Sequence, residues 1–305
     1  SAARSPRAAP PGGARGTSGD CDSPPPPLAE RAIVGGGLRA VVFLWVPLDG
    51  PTPPASVRHR LTILQGTGDS ARTHILEGGA ASVTREIAVL GPPLRGEGWL
   101  TANGPDAQTG HRRALIPVEG IAAIAQRFAI DYVKMDENGR RFTADSLKNE
   151  SYYAEGVDAL AVADGIVASV KDGIPENIPG PASRAVPITL ETVGGNFVIL
   201  DIGQGRYAFY AHLKPGSLRV RRSDRVRKGQ VLGLVGNSGN STEPHLHFHL
   251  MDGTSPLGSE GIPYALESFE LVGKCRRMFA DCGRSAPAGR RREMPLANMV
   301  IAFPK

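Results

Sequence analysis

Glycine and proline punctuate this chain so often that long helices have no room to form. They number 38 and 26 of 305 residues, and in a helix interior glycine costs about 1 kcal/mol and proline about 3 kcal/mol relative to alanine. Between them lie short apolar or alternating runs, the pattern of half-buried strands. The expected fold is therefore mainly β: an amino-terminal β-sandwich followed by an antiparallel barrel-sandwich domain. Short segments such as "GIAAIAQ" (120–126) are the only helix candidates.

Composition divides the chain. Residues 1–29 are so rich in Pro, Gly, Ala and Ser that they bury too little apolar area to offset ordering entropy, and read as a disordered tail. From Leu38 the runs "LRAVVFLWVPL", "RHRLTIL", "SVTREIAVL" and "RRALIPV" recur at sandwich-like spacing, which makes 30–118 a candidate β-sandwich. Residues 119–270 form the second domain, and 271–305 a carboxy-terminal extension whose "MVIAF" reads as a closing strand that returns to a sheet. Within the second domain, "ALAVADGIVASVKDG" (159–173) suggests a hairpin about Asp164–Gly165. "NFVILDIGQGRYAFYAHL" (196–213) reads as two strands joined at Gly203–Gly205, and "VRKGQVLGLVGNSGNS" (226–241) repeats the pattern at a Lys-Gly turn.

The net charge of +5 is mild, and the runs "RVRRSDRVRKG" (219–229) and "GRRRE" (289–293) read as solvated loops, so nucleic acid is not an expected partner. No run approaches about 18 apolar residues, so no membrane-spanning helix is expected. The chain begins at Ser1 without an apolar signal core, and targeting signals leave its location open. Three cysteines fit no four-ligand zinc pattern; Cys275 and Cys282 are either a small disulfide loop or two thiols.

Chemistry concentrates in "EPHLHFHLMD" (243–252). In a strand successive side chains alternate faces, so His245, His247 and His249 share one surface while Leu246, Phe248 and Leu250 enter the core on the other. Packing alone gives no reason to align three imidazoles. His212, in "FYAHLKP", ends another expected strand and is placed to approach the same surface. Lipoyl-type carriers share the "DGIVASV" and "RKGQVLGLVG" look, but Lys171 and Lys228 lack the lysine-hairpin setting that such carriers need.

The blocks "DALAVADGIVASV", "NFVILDIGQGRYAFYAHL" and "VRKGQVLGLVGNSGNSTEPHLHF" together resemble the lysostaphin/LytM-type zinc peptidases, which cut peptide cross-bridges in peptidoglycan; the likeness spans about 119–255. It implies a duplicated hybrid motif, an extracytoplasmic location, peptidoglycan peptides as substrate and zinc as cofactor. The resemblance implies Asp131 and His247 as metal ligands, with His212 and His245 as catalytic groups. Three protein ligands leave one metal position open for water and the scissile carbonyl, and imidazole suits the proton traffic because its pKa lies near neutrality.

One position departs from the family. Four residues before Asp131, where the resemblance calls for the first ligand His, stands Arg127, which has no lone pair to offer. Three readings stay open. Arg127 pairs with Asp131 in a metal-free relative; or a displaced ligand, with His249, Gln126 and His111 in "NGPDAQTGHRR" to choose from, completes the zinc site; or Arg127 points away and leaves two ligands. Hence two functional expectations stand side by side: a zinc endopeptidase with a rebuilt or weakened metal site, or a non-catalytic module that binds cell wall or regulates a hydrolase such as an amidase. The long segments 134–156 and 171–195 are expected to wall a groove for an extended substrate.

Overall fold

The computed structural model describes residues 34, 41–48, 50, 52–66, 68–83 and 86–304. The tail expected over 1–29, with Cys21, lies outside these. The chain divides into two compact units, Ser1–Ile87 and Ala88–Lys305.

The first unit holds strands β1 (Ser56–Val57), β2 (Arg60–Gln65), β3 (Arg72–Glu77) and β4 (Ala81–Ser82). β2 pairs with β3 and β1 with β4, both antiparallel. Every residue of these strands is exposed, so the described part of this unit has strands without a sandwich core.

The second unit carries fifteen strands: β5 (Ala88–Leu90), β6 (Gly96–Ala102), β7 (Ile116–Val118), β8 (Ile121–Ala123), β9 (Ile130–Lys134), β10 (Asp158–Leu160), β11 (Gly165–Lys171), β12 (Asn196–Asp201), β13 (Tyr207–Leu213), β14 (Arg225–Val226), β15 (Val231–Leu234), β16 (Leu246–Met251), β17 (Tyr264–Arg277), β18 (Ala280–Glu293) and β19 (Met299–Phe303). An eleven-stranded sheet runs β14-β11-β12-β13-β16-β9-β6-β19-β17-β18, with β5 added in parallel to β17. All its other pairings are antiparallel, and β10 pairs with β15 in a separate two-stranded sheet. The main core lies against one face of the large sheet and includes Trp99, Ile130, Tyr210, Leu246, Phe248 and Leu250. Each such side chain contributes about 1.5–3 kcal/mol on leaving water, which fixes the face of β16 turned inward.

Several expectations are corrected. The span 30–118 is divided, because β5 and β6 hydrogen-bond into the large sheet and the unit boundary falls after Ile87. No break separates 119–270 from 271–305 either, since β17 runs through it. β10 and β11 flank Asp164–Gly165 yet do not pair with each other: β10 joins β15, and β11 joins β12 and β14. The Asp164 and Lys228 turns are crossings between sheets, and they are bound together by Lys228 N–H donating to Asp164 Oδ1 at 2.8 Å. "GIAAIAQ" starts as strand β8, because Glu119 and Gly120 both take positive φ and close a two-residue hairpin with β7. The arginines of 289–293 lie on β18, at the edge of the sheet, where charge discourages further strand addition.

Other expectations hold at the level of pairing. β12 and β13 form a hairpin about Gly203–Gly205. "MVIAF", as β19, inserts between β17 and β6. Cys275 and Cys282, for which the sequence leaves a disulfide and two thiols both open, face each other across β17 and β18 and form a disulfide.

Candidate metal centre

Register brings the site together. β16 lies between β13 and β9, with His247 opposite Asp131 on one side and Ala211 on the other. His212 follows Ala211 with a left-handed φ of 63°, a conformation uncommon outside glycine. Its ring is held there by donating Nδ1–H to the Ser238 carbonyl at 2.8 Å. That carbonyl is near enough because Gly195 and Gly239 let two backbones meet: a Cβ on Gly195 would lie 2.4 Å from Ser238 Oγ, and one on Gly239 would lie 2.2 Å from Gly195 N.

His245, before β16, donates Nδ1–H to the Glu243 carbonyl at 2.8 Å, and its Nε2 lies 3.5 Å from Asp131 Oδ1. His247 Nδ1 is 2.8 Å from the same carboxylate oxygen, and its Nε2 is 2.9 Å from His249 Nδ1. The His212 ring sits 4.9 Å from that of His245 and 5.7 Å from that of His247. The four residues expected at the site, Asp131, His212, His245 and His247, are thus buried together and line one cavity of about 330 Å³.

A fifth residue joins them from a segment far upstream. The helical turn Gly110–Arg113 presents His111, which donates Nδ1–H to the Asn103 carbonyl at 3.1 Å and places Nε2 3.5 Å from Asp131 Oδ2. Asn103, just past β6, also donates its side-chain amide to Asp131 Oδ2 at 2.8 Å. One asparagine therefore orients both the imidazole and the carboxylate. His111, Asp131 and His247 each offer a ligand atom, all within 4.8 Å of one another. Two imidazole nitrogens and a carboxylate oxygen are a donor set suited to zinc, so the residues fit the metal that the sequence resemblance implies.

Arg127 is turned elsewhere. Its Nε donates to Glu260 Oε1 at 2.6 Å, and Glu260 Oε2 accepts the Ile124 N–H at 3.0 Å. The arginine thus pairs with Glu260 rather than Asp131, and of the three alternatives considered for a displaced ligand it is His111 that enters the cluster. His249 is fully buried beside His247, has no partner on Nε2 among the described residues, and lines the cavity together with Gln126. Nothing in the local sequence of "QTGHRR" marks His111 as part of the site; the link is the β6–β9 pairing, which carries Asn103 to Asp131.

Burial and charge set the protonation states. Burial raises the Asp131 pKa, but the neighbouring imidazoles of His111 and His245 outweigh it and hold the carboxyl well below its ordinary range. Burial pulls His212 well below an ordinary histidine, helped by the His245 and His247 rings, and likewise pulls down His249 beside His247. His111 is lowered by burial against the pull of Asp131. His245 alone is raised, because Asp131 and the bond to Glu243 overcome burial.

The two long segments have different parts. Residues 171–195 supply Arg184, Val193 and Gly194 to the cavity lining, whereas 134–156 supplies none of it. The earlier segment is a buttress instead: Arg141 pairs with Glu243, and Asn149 bonds to Asn237 and the Asn177 carbonyl.

In this mainly β protein the His/Asp/His group lines a cavity and is flanked by two further imidazoles. Residues 152–258 match the model of Peptidase family M23. The matched span includes His212, His245 and His247; His111 and Asp131 precede it. Among relatives, the peptidoglycan DD-endopeptidase ShyA of Vibrio cholerae is 35% identical over 65 residues, which are 21% of this chain and 15% of that protein. The DD-carboxypeptidase/endopeptidase Mpg of Neisseria meningitidis is 34% identical over 94 residues, 31% of this chain and 21% of that one. The glycyl-glycine endopeptidase ALE-1 of Staphylococcus capitis is 42% identical over 59 residues, 19% of this chain and 16% of that one. This chain therefore covers only a minor part of each relative's length. The catalytic domain of the prophage-encoded M23 protein EnpA from Enterococcus faecalis aligns at 22% identity with a TM-score of 0.33, over 56% of this chain and 92% of that domain.

Proposed function

We propose that the chain is a zinc-dependent endopeptidase that cuts peptide bonds in peptidoglycan outside the cytoplasm. The observation that carries this reading is the convergence of His111, Asp131 and His247 within 4.8 Å beside His212 and His245, in a chain that matches the M23 model and is similar to a peptidoglycan DD-endopeptidase. His111, Asp131 and His247 would hold the metal. When bound, zinc supplies a Lewis acid that polarises the scissile carbonyl and acidifies water.

The remaining chemistry belongs to the imidazoles. His212 keeps its Nδ1 proton on Ser238, and burial keeps the ring neutral, so its Nε2 lone pair is the base that takes a proton from the attacking water. His245, with its pKa raised by Asp131, holds a proton on Nε2 that it donates to the oxyanion forming at the carbonyl or to the departing amine. The Glu243 and Ser238 carbonyls hold the Nδ1 proton of each ring, so neither ring has to reorient between steps.

The test is zinc quantification by mass spectrometry on protein purified without chelator, together with hydrolysis of purified peptidoglycan peptides. About one zinc per chain is expected, and His247→Ala should abolish both metal retention and cleavage. A wild-type chain that holds zinc yet leaves peptidoglycan peptides intact would remove the enzymatic reading and favour a binding module.

A further inference from the structure

The cavity carries one permanent cation whose charge nothing in the cavity balances. Arg184 lines it from the 171–195 segment, in the same cavity as the histidines. Its Nε donates to Asn240 Oδ1 at 3.1 Å and its Nη1 to the Ser183 carbonyl at 2.5 Å. A guanidinium has five N–H donors in a planar fork, so donors are left over, including both on Nη2. The single carboxylate in the lining, Asp131, is already held by Asn103, His111 and His247. Among the described residues no carboxylate forms an ion pair with Arg184.

The arginine is also held in position. Buried Asn177 accepts the Ala185 N–H at 2.8 Å through Oδ1, and through Nδ2 it donates to the Gly239 and Ser241 carbonyls. Asn240, the partner of Arg184, donates its backbone N–H to the Val193 carbonyl at 2.9 Å. The guanidinium thus rides on a segment tied at several points to the turn that precedes His245. Pre-organised planar donors with spare N–H groups suit a carboxylate, which accepts two parallel hydrogen bonds.

We propose that Arg184 binds a free carboxylate of the substrate peptide and makes this site selective for acidic peptides, those with a side-chain or terminal carboxylate next to the scissile bond. This rests on the peptidase reading above and narrows its substrate class. A glycine-only bridge has no side-chain carboxylate for the fork, and an amidated peptide has lost one. Arg184 is a specificity determinant: the bond broken and the groups that move protons are unchanged by it.

The experiment uses the full metal-loaded chain and two matched peptidoglycan peptides that differ only in whether the carboxyl beside the scissile bond is free or amidated. Wild type should prefer the free acid by about 10- to 100-fold in kcat/KM, the range of a charge-assisted pair. Arg184→Gln should erase the preference by weakening only the free-acid peptide, and Arg184→Lys, which keeps the charge without the fork, should retain part of it. Equal cleavage of both peptides by wild type, or an equal fall on both in Arg184→Gln, would overturn the assignment. Calorimetric binding of the same two peptides separates the two levels. If neither peptide is cut, the peptidase reading falls, while the ratio of their affinities in wild type and Arg184→Gln still decides the role of Arg184.

Discussion

Two segments lead toward Asp131 from upstream, and they end in opposite roles. Residues 124–131 are adjacent in sequence, yet their Arg127 leaves the cluster to pair with Glu260. The turn Gly110–Arg113 lies 20 residues from Asp131 along the chain at His111, yet delivers an imidazole nitrogen to 3.5 Å from the carboxylate. Closeness in sequence predicts the wrong partner because side-chain direction, set by strand register and anchoring, decides who meets whom. Asn103 does the anchoring for His111, and Glu260 does it for Arg127.

The contrast is broken most directly by exchanging which segment is damaged. Removing the imidazole in His111→Ala should cost zinc affinity more than the roughly 10- to 100-fold typical of losing an outer partner of a ligand, measured by competition with a metal indicator. The same titration on Arg127→Ala should differ from wild type by less than about threefold, because its charge is engaged elsewhere. If the two variants behaved alike, or if Arg127→Ala bound zinc more tightly by a large factor, position 127 would belong to the site after all.

A smaller effect is expected beside the cluster. His249 Nδ1 lies 2.9 Å from His247 Nε2 and has no other role in the cavity's polar network. Partners of this kind fix the ring of a ligating histidine, so His249→Phe, which keeps bulk and loses the bond, should weaken zinc by about 10- to 100-fold. His249→Gln, able to restore a hydrogen bond, should recover part of it. No change in either would make the third imidazole a packing residue.

How much of this was legible in sequence follows from the same contrast. Alternation along "HLHFHL" placed His247 in the cavity and Phe248 in the core without any long-range knowledge, since the strand period is two. The glycine-punctuated runs identified β12, β13 and β16 for the same reason. What alternation cannot supply is pairing: the Asp164–Gly165 turn looked like a hairpin, yet its strands go to different sheets, a choice made by tertiary contacts. His111 was one of three alternatives for the vacant ligand position on sequence grounds, and only the β6–β9 register distinguishes it from His249 and Gln126.

The smallest expected effect concerns stability. Arg127 and Glu260 side chains remain 34% and 37% exposed, so solvent screens their attraction and an ion pair of this kind contributes about 0–1 kcal/mol. Arg127→Ala should therefore lower the denaturant midpoint slightly, whereas Glu260→Ala should cost more, because it also leaves the Ile124 N–H without its acceptor. Urea titration of the two variants gives the order directly. Were Arg127→Ala the more damaging of the two, its guanidinium would have to be holding something beyond Glu260, and the separation of the two upstream segments would lose its physical basis.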